Sequence, residues 1–263
     1  MIRILCLINK TAVHVKNLQK MKTIKQLLFL FGIGLSLIAC KKESSSPFSG
    51  TAYSNLSAYD HSGKPTTGLL HDVISDSLLA FIDSVLPESQ NQTVTHPELF
   101  SSSAIADISV TQTSDVYVTF VKEAGIWNNA LAYYTYPTTQ PPASAKDIKS
   151  IIYFFPNVGH LSTLTPGDKV KIGTFSPGTS IGFVLMQNAW DSTNANLNND
   201  VTHFCTNDVL NPETDATKRK HAVIINYTPE DKVLVGFEDW NRMEVQCDND
   251  FNDVLFYCTI LHS

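Results

Sequence analysis

Beyond residue 106, apolar and polar positions alternate with a period of two over much of the chain, the pattern of strands that bury one face. It predicts strands over Val116–Val121, Ala130–Tyr136, Ile148–Phe155, Lys169–Phe175, Ser180–Met186, His221–Tyr227, Lys232–Phe237 and Val254–Ile260. Turn-forming residues separate them, as at Pro166-Gly167-Asp168 and Pro177-Gly178, and Pro137 to Ala143 reads as a surface connection. The first two strands flank Gly125 to Asn129, which suits a hairpin with a longer loop. One earlier segment differs. Asp72 to Leu86 places Val73, Ile74, Leu78, Leu79, Ile82, Val85 and Leu86 at helical intervals, and Pro87 ends it. This helix is expected to lie across the end of the fold or to link it to what precedes.

Short strands with long connections point to an all-β fold, a β-sandwich of Greek-key or jelly-roll type with one short N-terminal helix. No internal repeat is present, which disfavours a solenoid or propeller. The expected organisation is a leader segment over residues 51–105, carrying the helix, and a sandwich domain over residues 106–263.

The first residues carry an address. Met21-Lys22-Thr23-Ile24-Lys25 leads into the apolar stretch Leu27 to Ile38 and then Ala39-Cys40, too short to span a bilayer comfortably and laid out as a signal peptide. Leu37-Ile38-Ala39-Cys40 resembles a bacterial lipobox, which implies lipidation at Cys40 and attachment to a membrane through the N-terminal lipid. Residues 1–20 lack this pattern and read as a mis-assigned start, 21–39 as the signal, and 40–50 as a polar, flexible tether. Lysines directly after the cysteine resemble those of lipoproteins sent to the outer membrane, so the expected location is there, facing the periplasm or the cell surface.

Removing the signal changes the charge. Residues 1–39 hold six basic and no acidic side chains, so the formal net charge of −6 becomes −12 without them. Such a polyanion is no partner for nucleic acid, and divalent cations suit it better. Of the cysteines left, Cys258 falls in an apolar strand pattern, whereas Cys205 and Cys247 fall in polar loops. A Cys205–Cys247 disulfide is expected, the alternative being three free thiols. No Cys-x-x-Cys or His-x-x-x-His spacing supports zinc.

The densest chemistry lies near the C-terminus, in Gly236-Phe237-Glu238-Asp239-Trp240 and Asp248-Asn249-Asp250-Phe251-Asn252-Asp253. Carboxylates crowded against strand-like apolar residues must bind a cation, accept backbone hydrogen bonds or act as acids and bases. Asp248, Asp250 and Asn252 are spaced like the opening of a calcium loop, although Asp253 replaces the glycine of an EF-hand at the sixth position and Thr259 its glutamate at the twelfth. If the loop from Asn241 to Gln246 closes a hairpin-like turn, Glu238 and Asp239 approach the same point. The candidate metal ligands are therefore Glu238, Asp239, Asp248, Asp250, Asn252 and Asp253, with calcium as the cofactor. Two alternatives stand beside it: a structural network in which Asp253 accepts loop amides, and a Glu238/Asp253 catalytic pair for glycoside cleavage. The Asn-rich stretch from Asn188 to Asp208 reads as a solvated loop.

Several motifs in order carry a resemblance: Leu131-Ala132-Tyr133-Tyr134-Thr135-Tyr136, Phe155-Pro156-Asn157, Gly178-Thr179-Ser180-Ile181-Gly182-Phe183, Leu210-Asn211-Pro212-Glu213 and the two acidic segments. Over Trp127 to Ile260 the chain resembles the C-terminal domain of LruC-type bacterial surface proteins (domain of unknown function, family 4114). The resemblance implies a secreted or surface protein and leaves the biochemical role open. The chain departs from it at Gln187-Asn188-Ala189-Trp190 and at Cys247, which bears on local loop geometry. The functional expectation is a lipid-anchored envelope protein whose calcium-stabilised sandwich acts as a binding or adhesion module, its ligand a glycan or a surface protein. Aromatics that would stack on sugars include Trp127, Trp190, Trp240, Tyr133, Tyr134 and Tyr136. A carbohydrate-active hydrolase and an envelope-structural protein are the alternatives.

Overall fold

Alternation along each strand sends successive side chains to opposite faces, and here both faces find apolar cover. The computed structural model describes residues 47–262. One six-stranded sheet runs in the order β1 (Ala52–Asn55), β6 (Ser150–Phe155), β5 (Ala130–Pro137), β8 (Thr179–Met186) and β11 (His203–Cys205), with β3 (Ile108–Val110) also paired to β8. The other, also six-stranded, runs β12 (Ala222–Tyr227), β13 (Lys232–Phe237), β14 (Val254–His262), β4 (Ser114–Glu123), β7 (Asp168–Phe175) and β2 (Leu69–His71). A small hairpin, β9 (Trp190–Asp191) and β10 (Asn196–Leu197), stands apart. The all-β sandwich expected from the sequence is the fold.

The central core lies between the two sheets. From β14 it takes Val254, Phe256 and Cys258, and from β5 Leu131 and Tyr133. The intervening residues turn outward: Leu255 and Tyr257 join one outer cluster, Ala130, Ala132 and Tyr134 another. Cover on the second sheet comes from helix α1 (Asp76–Val85), whose Leu78 and Ile82, with Leu86 just beyond, are fully buried against Leu234, Leu255 and Tyr257. The helix begins at Asp76, not Asp72, because Ser75 caps it: its hydroxyl accepts the Leu78 N–H at 3.1 Å. Val73, left before the cap, is 81% exposed. The helix therefore packs on a sheet face and not across the end, and a second short helix, α2 (Gln92–Thr95), follows it.

Three further expectations are corrected. Gly125 to Asn129 does not close a hairpin, because β4 pairs with β14 and β7 while β5 pairs with β6 and β8; the segment crosses from one sheet to the other. Nor do residues 51–105 form a separate leader: β1 adds in parallel to β6 and β2 pairs with β7, so residues 46–263 form one unit. Their mixed burial hides such short strands from a periodicity argument. The Cys205–Cys247 disulfide is absent, and Cys205, Cys247 and Cys258 are buried free thiols. Cys205 packs in the cluster outside the first sheet, whereas Cys247 stands beside Glu238.

The expected start at 1–20, the signal at 21–39, Cys40 and most of the tether lie outside the described residues. No helix among the described residues is long and apolar enough to cross a membrane.

Candidate metal centre

The register of three strands gathers the acids. Phe237 of β13 pairs with Val254 of β14, so the next residues outward, Glu238 and Asp253, face each other where the strands part. The turn between them supplies the hairpin-like closure expected from the sequence. On its other side Val254 pairs with Glu123 at the end of β4, which brings a further carboxylate to the same level. The chain then leaves β4 with the Ala124 N–H donating to the Asp253 carbonyl at 2.9 Å. Gly125 passes so close that a Cβ there would stand 2.4 Å from Asp239 Oδ2.

Hydrogen bonds hold part of this cluster. Asp253 Oδ2 accepts the Asp239 N–H at 2.7 Å, and Asp239 Oδ2 accepts from Asn129 Nδ2 at 2.7 Å. Asn129 Oδ1 in turn accepts the Asn188 N–H at 3.0 Å, and Gln187 Nε2 donates to the Asp239 carbonyl at 2.7 Å. The bonds tie the end of β13 to the ends of β5 and β8, joining the two sheets. Asp253 thus does cap an amide, as the structural alternative required.

The rest of the cluster lacks ordinary donors. Glu238 is 1% exposed, and no N–H or hydroxyl group donates to either of its oxygens, its close neighbours being the Asp253 carboxyl and the Cys247 thiol; Asp239 Oδ1 and Glu123 Oε1 are also buried without a donor. The Cys247 thiol stands beside Glu238, close enough for each to act on the other's titration. Among the described residues no lysine, arginine or histidine pairs with these acids. The Arg242 guanidinium is engaged elsewhere, donating to the Lys220 carbonyl and Asn249 Oδ1 and lying over Phe251.

Burial and mutual repulsion raise the carboxyl pKa values together. Desolvation first, then the charges of Asp253 and Asp248, lift Glu238 to about 9. Desolvation lifts Glu123 to about 7. Asp239 and Asp253 act on each other, and burial drives both upward. Without a counter-charge the cluster retains protons at neutral pH; with a divalent cation it would release them.

The six expected ligands do not converge on one point. Glu238, Asp239 and Asp253 form the inner group with Glu123. Asp248 and Asp250 belong to an outer group with Glu88, one oxygen from each lying within 4.8 Å of the others. Asp250 is engaged already, accepting from the Ser89 N–H at 2.8 Å and the Asn252 N–H at 3.1 Å. Asn252 turns away to donate to the Leu86 carbonyl at 3.3 Å. A positive φ at Asn249 and at Phe251 breaks the run of alternating side chains, which is why Asp248, Asp250 and Asn252 do not present a shared face. Glu123, Glu88 and Asn129 were not legible from the sequence, since only strand register and the tertiary path bring them to the acids.

Other candidates have plainer roles. His221 is a satisfied strand-end histidine, with Nε2 2.8 Å from Glu213 Oε1 and its ring stacked on Phe204. Tyr133 and Tyr134 are buried in different clusters, and Tyr136 donates to Asp107 Oδ2 at 2.6 Å. Trp127 and Trp240 pack together at 5.5 Å, half-buried, and Trp190 is buried against Tyr59. The six therefore share no single exposed face.

Fold and site together define a β-sandwich protein with a buried carboxylate cluster at one end. Residues 175–260 match the model of a family described as Domain of unknown function (DUF4114), a span that holds the acidic segments and lies within the resemblance read over Trp127 to Ile260. No curated protein and no solved structure matches the chain.

Proposed function

We propose that the protein is a lipid-tethered envelope protein whose sandwich is locked at one end by a calcium ion held by Glu238, Asp239, Asp253 and Glu123, and that it serves as a binding module. The observation that carries this reading is Glu238, whose two oxygens are buried among three further carboxyls with no N–H or hydroxyl donor and no counter-charge. An ionised carboxylate in that setting loses several kcal/mol of hydration that nothing nearby returns. A hard divalent cation would supply the missing charge, and several oxygen donors with no imidazole suit calcium better than zinc or magnesium.

The cation is assigned to the inner group because both Glu238 oxygens, Asp239 Oδ1 and Glu123 Oε1 are buried without a donor, whereas both Asp250 oxygens are engaged and Glu88 and Asp248 are open to water. Among the described residues only the outer group already brings three ligand atoms within 4.8 Å of one another, so the inner carboxylates would have to close on the ion as it binds. Burial also disfavours the hydrolase reading. A glycosidase acid must touch the glycosidic oxygen, and at 1% exposure Glu238 offers a substrate no approach. The lipid tether rests on Cys40 and the signal before it, and the divalent-cation preference agrees with the acidic balance of the mature chain.

Thermal unfolding of the soluble chain from Ser46 onward, with millimolar calcium and with chelator, tests the cation. Binding at a hundredfold excess over Kd adds about 2.7 kcal/mol, which moves Tm upward by about 5–10 °C for a domain of this size. An unchanged Tm would leave a proton-sharing structural network as the account.

A further inference from the structure

The Asn-rich stretch after β8, which reads from sequence as a solvated loop, builds the walls of a groove. The β9–β10 hairpin folds so that Asn196 and Leu197 stand between two cavities, one of about 560 Å³ on the Trp190 side and one of about 230 Å³ against β1. The larger one alone lies in the size range of small-molecule sites. Asp191 is the one charged side chain in either lining, and its carboxylate is occupied by the Thr193 and Asn194 N–H groups and Asn194 Nδ2.

We infer that this groove binds a neutral oligosaccharide. Pyranose rings present hydroxyls that both donate and accept, together with apolar C–H faces, and the groove offers the complement of each. Among the described residues the side-chain amides of Asn55 and Asn196 have no partner, and each offers a donor and an acceptor in one plane. Asn199 uses its oxygen to accept from the Tyr153 hydroxyl at 2.7 Å, and Asn198 uses its oxygen for the Asp200 N–H at 2.9 Å, which leaves both NH₂ groups to donate. Tyr59 supplies a half-exposed ring. It is held edge-on to Trp190, centroids 5.6 Å apart, so little rotamer freedom remains to be lost on stacking.

The chain builds this posture deliberately around Gly63. Its φ of +83° closes the turn from Tyr59 to Pro65, and a Cβ there would meet Asn157 Cβ at 2.5 Å and the Trp190 ring at 3.3 Å. A lining whose one charge is an engaged carboxylate explains the ligand class: a phosphate or uronate would find no cation here, and an apolar ligand would strand the amides. The site is separate from the acidic cluster and does not depend on the cation assignment.

The test uses the soluble chain 46–263 and a panel of cellohexaose, laminarihexaose and mannohexaose, with polygalacturonate as the acidic comparison, read by glycan array and then calorimetry. At least one neutral hexaose should bind and polygalacturonate should not. Tyr59→Ala, and separately Asn55→Ala with Asn196→Ala, should each weaken that binding about tenfold or more, as loss of a stacking face or of two hydrogen bonds implies. The response of Tm to calcium should be the same in these variants as in the parent, which shows that they fold and separates this inference from the cation reading. Absence of binding to every neutral hexaose, binding to polygalacturonate alone, or undiminished affinity in both variants would overturn the proposal.

Discussion

Replacing Glu238 by Gln should stabilise the metal-free protein and destabilise the calcium-loaded one. Without metal, the folded state holds the Glu238 proton up to about pH 9, while the unfolded chain releases it near the ordinary 4.5. Because the folded pKa is raised, the favourable contribution is complete below pH 4.5 and is lost as pH rises toward 9. Each pH unit in that window lowers stability by about 1.4 kcal/mol, so at pH 7 the carboxyl costs the folded state about 3 kcal/mol relative to a side chain that does not titrate. Gln removes that proton linkage at nearly constant volume, and its amide can donate toward the neighbouring carboxyls. In chelator at pH 7, Glu238→Gln should therefore melt about 6–12 °C above the parent. The gap should close near pH 5 and widen at pH 8. In excess calcium the order should reverse, since the variant lacks a charged ligand. Urea or thermal unfolding followed by tryptophan fluorescence measures all of this. A variant less stable than the parent in chelator at pH 7, or a gap indifferent to pH, would refute the reasoning.

Other consequences follow from single contacts. Gly125→Ala places a Cβ 2.4 Å from Asp239 Oδ2, so the crossover must shift; it should cost about 1–3 kcal/mol and diminish the calcium response, both read from melts with and without calcium. Cys40→Ala should release the protein from the detergent phase in a partitioning assay, because the proposed lipid tether would attach at that one sulfur; continued partitioning after signal cleavage would contradict the lipoprotein reading. Alkylation of the soluble chain in denaturant without reductant should label Cys205, Cys247 and Cys258, and alkylation of the folded chain should label them slowly, since all three are free and buried. Mass spectrometry counts the labels.

The strands were legible because their alternation is strong. Lys232–Phe237 is found as expected, and Ala130–Tyr136 and Ser180–Met186 each grow by one residue. What the pattern did not carry was pairing. Val116–Val121 and Ala130–Tyr136 are neighbours in sequence yet lie in different sheets, because partner choice depends on which apolar faces meet and not on the period of either strand. The same limit governed the site. Glu238, Asp239 and Asp253 could be read as a group because one hairpin brings them together, whereas Glu123 joins only through the β4–β14 register and Glu88 only because α1 packs on the second sheet. Asp248, Asp250 and Asn252 looked equivalent by spacing, but with left-handed residues between them Asp248 and Asp250 stand together beside Glu88 while Asn252 turns to the Leu86 carbonyl. The Cys205–Cys247 pairing failed similarly, by treating two polar-loop cysteines as neighbours without a path between them.

Equilibrium dialysis of the metal-stripped soluble chain against calcium, with bound metal counted by mass spectrometry, addresses the central claim most directly. The account predicts a saturable inner site in the parent that is lost in Glu238→Gln with Asp253→Asn and retained in Asp248→Asn with Asp250→Asn. Calcium binding lost in the outer-group variant and intact in the inner-group variant, or no saturable binding in the parent, would contradict it.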